Sequence, residues 1–250
     1  PYTRGPEYSR PFKKIIKEAK DLIKNGAKEI TLLGQNVNAF NYEGNKLSTL
    51  VSEINKLDKI KRIRYTTSHP LDFSNDLIEA HTTVEKLMPL IHLPIQSGSN
   101  KILKSMNRKH SVKDYLNLVN KLKRSNPSIK FSSDFIIGYP GETDKDFNDT
   151  LKILKEVEFI NSYSFVFSPR PGTPASKMEK IDENLAKERL KIFQKSAGEL
   201  KMRYREELFN KKSSVLFENK IIGKENEFFG RDEYLNSVIV KSQSDLVGKI

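Results

Sequence analysis

Apolar residues recur along this chain in two alternating patterns, and together they predict a β/α fold. Short runs of β-branched and aromatic residues predict five buried strands, which end near residues 34, 67, 95, 137 and 167. Segments with apolar residues at helical spacing lie between them. A repeat of roughly 30 residues is typical of the βα units of a parallel barrel. Because five strands are visible rather than eight, we predict a partial TIM-like (βα) barrel, one that lacks its first strand.

The alternation of predicted strands and helices ends near residue 180. Residues 182–210 predict a long charged helix, and residues 213–250 carry short strand patterns separated by turn residues. We therefore predict three regions. They are the partial barrel over 1–180, a connecting helical segment over 181–212, and a small all-β domain over 213–250.

Composition adds three constraints. The 250 residues include 44 Lys and Arg against 32 Asp and Glu, so the net charge is +12. This balance favours a nucleic-acid partner and is equally typical of solubilising surface charge. No apolar run approaches the roughly 18 residues that cross a bilayer, so we expect a cytoplasmic protein without a membrane partner. The absence of cysteine excludes disulfides and any cysteine-held zinc or iron–sulfur site within these residues.

The clearest candidate for chemistry runs from Ser132 to Thr143, where an apolar strand ends in a glycine turn and a helix begins at once. Thr143 and Asp146 predict the cap of that helix. Other strands end in similar junctions with polar residues, and β/α folds place their ligands at the carboxyl ends of strands. We expect these polar residues to meet at one mouth: Gln35, Asn36, Ser68, His69, Gln96, Ser97, Asp134, Glu142, Ser168 and Arg170.

Hydrogen-bonding groups of this kind suit recognition of a polar small molecule, such as an amino acid or a nucleoside. Asp134 and Glu142 fit an acid/base pair, and hydrogen bonding within the turn and the cap fits each of them equally well. The four histidines have no metal-ligand spacing, so no metal site is predicted. No glycine-rich phosphate-binding pattern is present.

Positive charge is concentrated between residues 101 and 130, which contain nine Lys or Arg and a single acid. A charged run is usually a solvated face, but this density beside the predicted mouth favours contacts with a phosphate backbone. The residues predicted to bind RNA are Lys101, Lys104, Arg108, Lys109, Lys113, Lys121 and Arg124.

Six short motifs follow one another in a fixed order along the chain. They span residues 1–7, 32–38, 93–99, 106–109, 133–143 and 163–175. As a set they resemble the radical SAM methylthiotransferases, and within that family the enzymes that act on N(6)-dimethylallyladenosine in tRNA. Residues 213–250 are similar to the family's TRAM domain, a small β-barrel that binds RNA.

The resemblance implies a radical SAM barrel that binds S-adenosyl-L-methionine across its strand ends. In this family a 4Fe-4S cluster, reduced by an electron donor, cleaves that cofactor, and a second cluster supports sulfur insertion. By position, Asp134, Ile136, Gly138 and Glu142 would line the adenosyl pocket, and Arg4 would lie close to the cluster. The cofactor's polar groups would be held by residues from the same mouth: Gln35, Asn36, Ser68, His69, Gln96 and Ser97.

One departure from the family is clear. The family binds its radical-generating cluster through Cys-x-x-x-Cys-x-x-Cys, just before the segment with which this chain begins, and this chain has no cysteine. We therefore expect a further N-terminal portion to carry the clusters, and tRNA to be the substrate. Two alternatives remain: an RNA-binding remnant or subunit of a split enzyme, and a methylthiotransferase acting on a ribosomal protein.

Overall fold

The computed structural model describes residues 8–66 and 68–250. The helices are α1 (Phe12–Lys24), α2 (Leu47–Asn55), α3 (Asn75–Thr83), α4 (Asn100–Ser105), α5 (Val112–Ser125), α6 (Asp144–Val157) and α7 (Glu183–Glu207). The strands are β1 (Glu29–Leu32), β2 (Asn41–Tyr42), β3 (Asn45–Lys46), β4 (Arg62–Tyr65), β5 (Leu90–His92), β6 (Lys130–Ile137), β7 (Asn161–Val166), β8 (Leu216–Lys220), β9 (Glu227–Arg231) and β10 (Ser237–Lys241).

The chain divides into two compact units. Unit 1 combines Pro1–Pro89 with Val215–Ile250, and unit 2 is Leu90–Ser214. The second boundary falls two residues beyond the predicted start of the all-β region. The predicted three-part division at residues 180 and 212 stays a prediction.

Unit 1 contains a parallel pair of strands, β1 and β4, with Ile30 opposite Ile63. They end at Leu32 and Tyr65, two residues before the ends that the apolar pattern predicts. Helix α2 buries Leu50, Val51 and Ile54, which is the face that its helical spacing indicates. The β2–β3 hairpin was not predicted. Its turn is closed by the Asn41 side chain, which accepts a hydrogen bond from the Gly44 amide at 3.0 Å.

The C-terminal part of unit 1 is a three-stranded antiparallel sheet in the order β10-β9-β8. Two buried arginines of β4 hold the turn that follows β9. Arg62 donates to the carbonyls of residues 231 and 232 at 2.8 and 3.2 Å. Arg64 donates to those of residues 232 and 233 at 3.1 and 2.8 Å. Segments more than 160 residues apart in the chain are therefore joined by charge-assisted hydrogen bonds.

Unit 2 contains a parallel three-stranded sheet in the order β5-β6-β7, and helix α7 packs against β6 and β7. Phe131, Phe135 and Ile137 of β6 are buried. The ring of Phe135 lies 4.6 Å, between centroids, from that of Phe193 on α7. Because side chains alternate along a strand, the residues between them, Asp134 and Ile136, belong to the opposite face.

The capping signals confirm the helix starts. Thr143 and Asp146 form a reciprocal capping box at α6, as predicted, and Ser111 and Asp114 form another at α5. One strand boundary was wrong: β5 was expected to run to Ile95 but ends at His92. Pro94 lacks the amide that would continue the ladder. Helix α4 was not predicted. Within the part of the chain that the structure describes, no helix has the length and apolar character of a membrane span.

Candidate functional site

The face of the β5-β6-β7 sheet that carries Asp134 and Ile136 also presents two aromatic rings. Tyr163 lies opposite Asp134 in the register and Phe165 lies opposite Ile136. The exposed fractions of the two aromatic residues are 53% and 61%. On the other face of the same sheet, Phe131, Phe135 and Ile137 of β6 are buried. Unit 2 therefore offers one open surface at which polar and aromatic groups stand side by side.

His92 links the polar groups of this open face. Its Nδ1 lies 2.9 Å from the hydroxyl of Ser132, and its Nε2 lies 3.5 Å from Oδ2 of Asp134. The ring also meets Tyr163 edge-on, with centroids 6.0 Å apart. The His92 ring thus lies against both Asp134 and Tyr163. His92 was assigned no role at this site from the sequence, and the alternation of β5 was the signal that could have placed it on this face.

Gln96 has a backbone conformation that few residues with a side chain adopt. Its φ is +76°, in the left-handed region. Its amide donates to the Asp134 carbonyl at 3.0 Å, and its carbonyl accepts from the Ile136 amide at 2.9 Å. The two bonds continue the pairing of β5 with β6 beyond Pro94. Backbone strain of this kind is often concentrated where a ligand is held.

Replacing Gln96 tests that conformation directly. The left-handed region costs about 1–2 kcal/mol for a residue with a Cβ and almost nothing for glycine. We therefore expect Gln96→Gly to unfold with a free energy about 1–2 kcal/mol higher than Gln96→Ala, measured in urea. Both variants lack the amide side chain, so each is the other's control. Equal stabilities would contradict the positive φ.

Three other predicted cofactor residues of unit 2 have partners inside the protein. The Ser97 hydroxyl lies 3.3 Å from that of Thr150. Gly138 has φ of +74°, and a Cβ there would come within 2.8 Å of the Ala186 side chain. That approach lets α7 pack on the turn. The assignment of Ser97 and Gly138 to the cofactor stays a prediction, and the contacts give each residue a packing role.

Glu142, the third, forms a buried ion pair with Arg189 of α7. Arg189 Nη1 donates to Glu142 Oε1 at 2.9 Å, and the exposed fractions of the two side chains are 5% and 0%. The Gly138 amide also donates to this carboxylate at 3.2 Å. Burial raises the pKa of Glu142, and the hydrogen bond from Gly138 and the charge of Arg189 act in the opposite direction. This environment favours a structural role for Glu142 over acid/base exchange with solvent.

Asp146 joins the start of α6 to the loop after β5. It accepts hydrogen bonds from the Ser99 hydroxyl at 2.6 Å and from the Thr143 amide at 2.9 Å, and Lys101 Nζ lies at 3.0 Å. Burial would raise the pKa of Asp146, but these hydrogen bonds outweigh it and hold the pKa well below its usual range. Lys101, predicted to bind RNA, is therefore engaged within the protein, although its side chain stays largely exposed.

In unit 1, the side-chain oxygens of Asn36 and Ser68 are buried. Neither oxygen has a hydrogen-bond partner among the described residues. The amide nitrogen of Asn36 donates to Asp72 at 2.6 Å. Asn38, which the sequence analysis did not select, fixes the backbone of His69 by exchanging two hydrogen bonds of 2.8 Å with it. Partnerless buried oxygens are uncommon in native proteins and suit a ligand.

Gln35 and Asn36 lie beside a cavity of about 590 Å³ between α1 and β1. This volume falls in the range of small-molecule sites. Gln35, Asn36, Ser68 and His69 belong to unit 1, and the other predicted cofactor residues belong to unit 2. Their convergence at one mouth stays a prediction, and Arg4 lies outside the described residues.

The predicted RNA-binding residues fall into two groups. Five are exposed: Lys104, Lys109, Lys113, Lys121 and Arg124. Three of these lie on α5, at intervals that place them along its outer side. Arg108 is partly buried instead. Burial lowers its pKa, and the negative charge of Asp134 opposes that shift.

A sequence profile described as the radical SAM superfamily matches residues 1–154. The chain belongs to the radical SAM superfamily. The match includes β1, β4, β5 and β6 and ends within α6, so it covers most of the strands predicted for the barrel. The fold prediction is thereby confirmed at the level of a radical SAM, TIM-like α/β fold.

Curated relatives of this radical SAM protein confirm the predicted resemblance to methylthiotransferases. The tRNA-2-methylthio-N(6)-dimethylallyladenosine synthase of Pelagibacter ubique (strain HTCC1062) is 54% identical over 255 aligned residues, which cover 100% of this chain and 57% of the relative. The synthase of the same name from Wolbachia pipientis subsp. Culex pipiens (strain wPip) is 48% identical, covering 98% and 57%. The chain thus spans about 57% of the length of these relatives.

Solved structures agree with the fold. Coproporphyrinogen III oxidase from Escherichia coli, described as a radical SAM enzyme, matches with a TM-score of 0.55 at 14% identity, over 74% of this chain and 46% of that one. Methylornithine synthase also matches with a TM-score of 0.55 and 14% identity, over 80% and 55%. At these identities the likeness concerns the fold alone.

Proposed function

We propose that this chain forms the cofactor-binding and RNA-binding part of a radical SAM enzyme that adds a methylthio group to N(6)-dimethylallyladenosine in tRNA. The observation that carries the proposal is the 54% identity to the Pelagibacter ubique synthase across the whole chain. The open face of unit 2 supports it, because Asp134, Tyr163 and Phe165 combine hydrogen bonding with stacking surfaces.

The described residues fit S-adenosyl-L-methionine. Asp134 offers a carboxylate on the open face, Ile136 offers an apolar contact, and Gln96 holds a strained backbone at the same strand end. When bound together with a 4Fe-4S cluster, this cofactor supplies radical chemistry and a methyl group. The chain's own residues orient it.

We propose that the cluster ligands lie outside residues 1–250, because the chain contains no cysteine. The proposed partners are therefore an N-terminal portion that carries the clusters, an electron donor and tRNA. A tRNA substrate also implies a cytoplasmic location. We further propose that β8, β9 and β10 belong to a TRAM-like RNA-binding domain.

A chimeric enzyme tests the function. Residues 1–250 would replace the matching segment of the Pelagibacter ubique synthase, and the chimera would be produced in bacteria that lack their own methylthiotransferase. We expect 2-methylthio-N(6)-dimethylallyladenosine to reappear in tRNA hydrolysates, measured by mass spectrometry. Asp134→Asn in the chimera should lower the yield at least tenfold, because a charge-assisted hydrogen bond contributes about 1.5–3 kcal/mol.

Asp21→Asn is the matched control, since it makes the same chemical change at an exposed position of α1. A chimera that folds and carries its clusters but forms no methylthio nucleoside would contradict the proposed function. Formation of a methylthio group on a ribosomal protein instead would favour the alternative substrate.

The basic face of α5 gives a second test of the RNA partner. Neutralising Lys113, Lys121 and Arg124 to Gln should weaken tRNA binding at least tenfold at about 0.1 M salt. It should also reduce the slope of log Kd against log salt by about 2–3, because each lost phosphate contact removes about 0.7–0.9 from that slope. Fluorescence anisotropy over a salt series measures both quantities.

Lys13, Lys17 and Lys20 of α1 provide the control. They are exposed on one helix, and changing them to Gln removes the same three charges from the chain. A similar loss of affinity in both triple variants would show that net charge, rather than the face of α5, binds the RNA.

A further inference from the structure

Tyr163 and Phe165 form what we call the aromatic pair of β7. We propose that this pair stacks on the target base of the RNA and recognises the apolar substituent on its N(6) atom. The inference rests on the proposed function, and it gives a role to two residues for which the sequence analysis predicted none.

The exposure of the aromatic pair is unusual for this sheet. The two rings follow each other at alternate positions of β7, so they share one face. More than half of each residue is exposed, whereas Phe131 and Phe135 of the neighbouring strand are 1% and 0% exposed. Two solvent-facing rings on one face of the strand offer stacking surfaces, and stacking a base on an aromatic ring contributes about 1–3 kcal/mol.

A polar group next to the aromatic pair matches what a substituted adenine presents. Adenine with one substituent on N(6) keeps a single N–H there, beside an apolar group. Asp134, in register with Tyr163, offers a carboxylate acceptor for that N–H. His92 holds the carboxylate and the Tyr163 ring in place from β5. Ring, acceptor and apolar surface thus fit the base and its substituent together.

The position of the aromatic pair favours the target base over the adenine of S-adenosyl-L-methionine. Asp134 and Ile136, which we assign to that cofactor's adenosyl pocket, lie on β6. The aromatic pair lies one strand further, about 4.8 Å away in the hydrogen-bonding direction. A base that reacts with a bound cofactor must lie close to it, so a stacking surface beside the proposed adenosyl pocket would suit the target base. Asp134 is shared between the two.

Binding of two anticodon stem-loop RNAs to the 250-residue chain tests the proposal. The RNAs differ only in carrying adenosine or N(6)-dimethylallyladenosine at the target position. We expect wild type to prefer the substituted RNA, and Tyr163→Ala/Phe165→Ala to bind it at least tenfold more weakly. The loss for the unsubstituted RNA and for S-adenosyl-L-methionine should be clearly smaller. Tyr163→Phe/Phe165→Tyr, which keeps two rings, should retain the preference.

Phe209→Ala removes another aromatic ring, 79% exposed and in the same unit, and should leave both affinities unchanged. If the wild-type chain binds both RNAs with equal affinity, the inference is overturned. The proposed tRNA partner is not contradicted by that result. An equal loss for S-adenosyl-L-methionine in the double alanine variant would also overturn it, since the rings would then belong to the cofactor. If neither the chain nor the chimeric enzyme binds RNA, the proposed function is contradicted as well.

Discussion

Replacing Arg189 with methionine is expected to lower the free energy of unfolding of unit 2 by about 3–5 kcal/mol, the cost of breaking a buried ion pair by removing one partner. Arg189 joins α7 to the turn before α6. Besides Glu142 Oε1, it contacts the Glu142 carbonyl at 3.1 Å and Asp144 at 2.6 Å. Methionine keeps much of the side-chain volume, so the loss reports the charge and the hydrogen bonds. Urea unfolding followed by circular dichroism measures it.

The pH dependence of this loss identifies its cause. Burial already raises the pKa of Glu142, and removing Arg189 raises it further. A carboxyl group whose pKa is raised on folding favours the folded state at low pH, and that contribution disappears as pH rises through the folded pKa. The difference between Arg189→Met and wild type should therefore be smaller at about pH 4 than at about pH 7.

Two variants complete the test of the Arg189 pair. Adding Glu142→Gln to Arg189→Met should recover part of the lost stability, because no charge then remains buried. Arg203→Met removes the same group from an exposed pair with Glu158, in which the two side chains are 55% and 60% exposed. Such pairs contribute about 0–1 kcal/mol. Equal losses for Arg189→Met and Arg203→Met would refute the buried-pair interpretation.

The elements of this fold were predictable from sequence because their signals are local. The capping residues Thr143 and Asp146 predicted the start of α6, and a run of β-branched and aromatic residues predicted β6. The hairpin of β2 and β3 was missed because two-residue strands carry no periodicity. Helix α4 was missed for the same reason, since six residues give fewer than two turns.

The candidate site was predictable only in part. The sequence placed Asp134, Ile136 and Gln96 at a strand end, and the structure places the first two on an open face. It could not separate Glu142 from them, because the partner of Glu142 lies 47 residues away on α7. From the sequence, Tyr163 and Phe165 were predicted to lie in a buried strand, because periodicity alone does not say which face of a sheet is covered.

Arg62 of β4 is buried, with 1% of its surface exposed, and its partners also lie far away in the sequence. Arg62→Met should lower the free energy of unfolding of unit 1 by about 3 kcal/mol. Methionine replaces the hydrocarbon part of the side chain. The variant loses two charge-assisted hydrogen bonds to the carbonyls of residues 231 and 232, which contribute about 1.5–3 kcal/mol each. Part of that loss is offset because a buried charge is removed. Urea unfolding gives the total.

Hydrogen exchange then locates the effect of Arg62→Met. Amides of β9 and β10 should exchange faster in the variant, because the turn between these strands is the one that Arg62 holds. Arg10→Met is the control: Arg10 pairs with Glu18 at the surface of the same unit, where the two side chains are 58% and 52% exposed, and its loss should cost less than about 1 kcal/mol. If β9 and β10 keep their protection in Arg62→Met, Arg64 alone holds the turn, and the C-terminal sheet depends on one arginine rather than two.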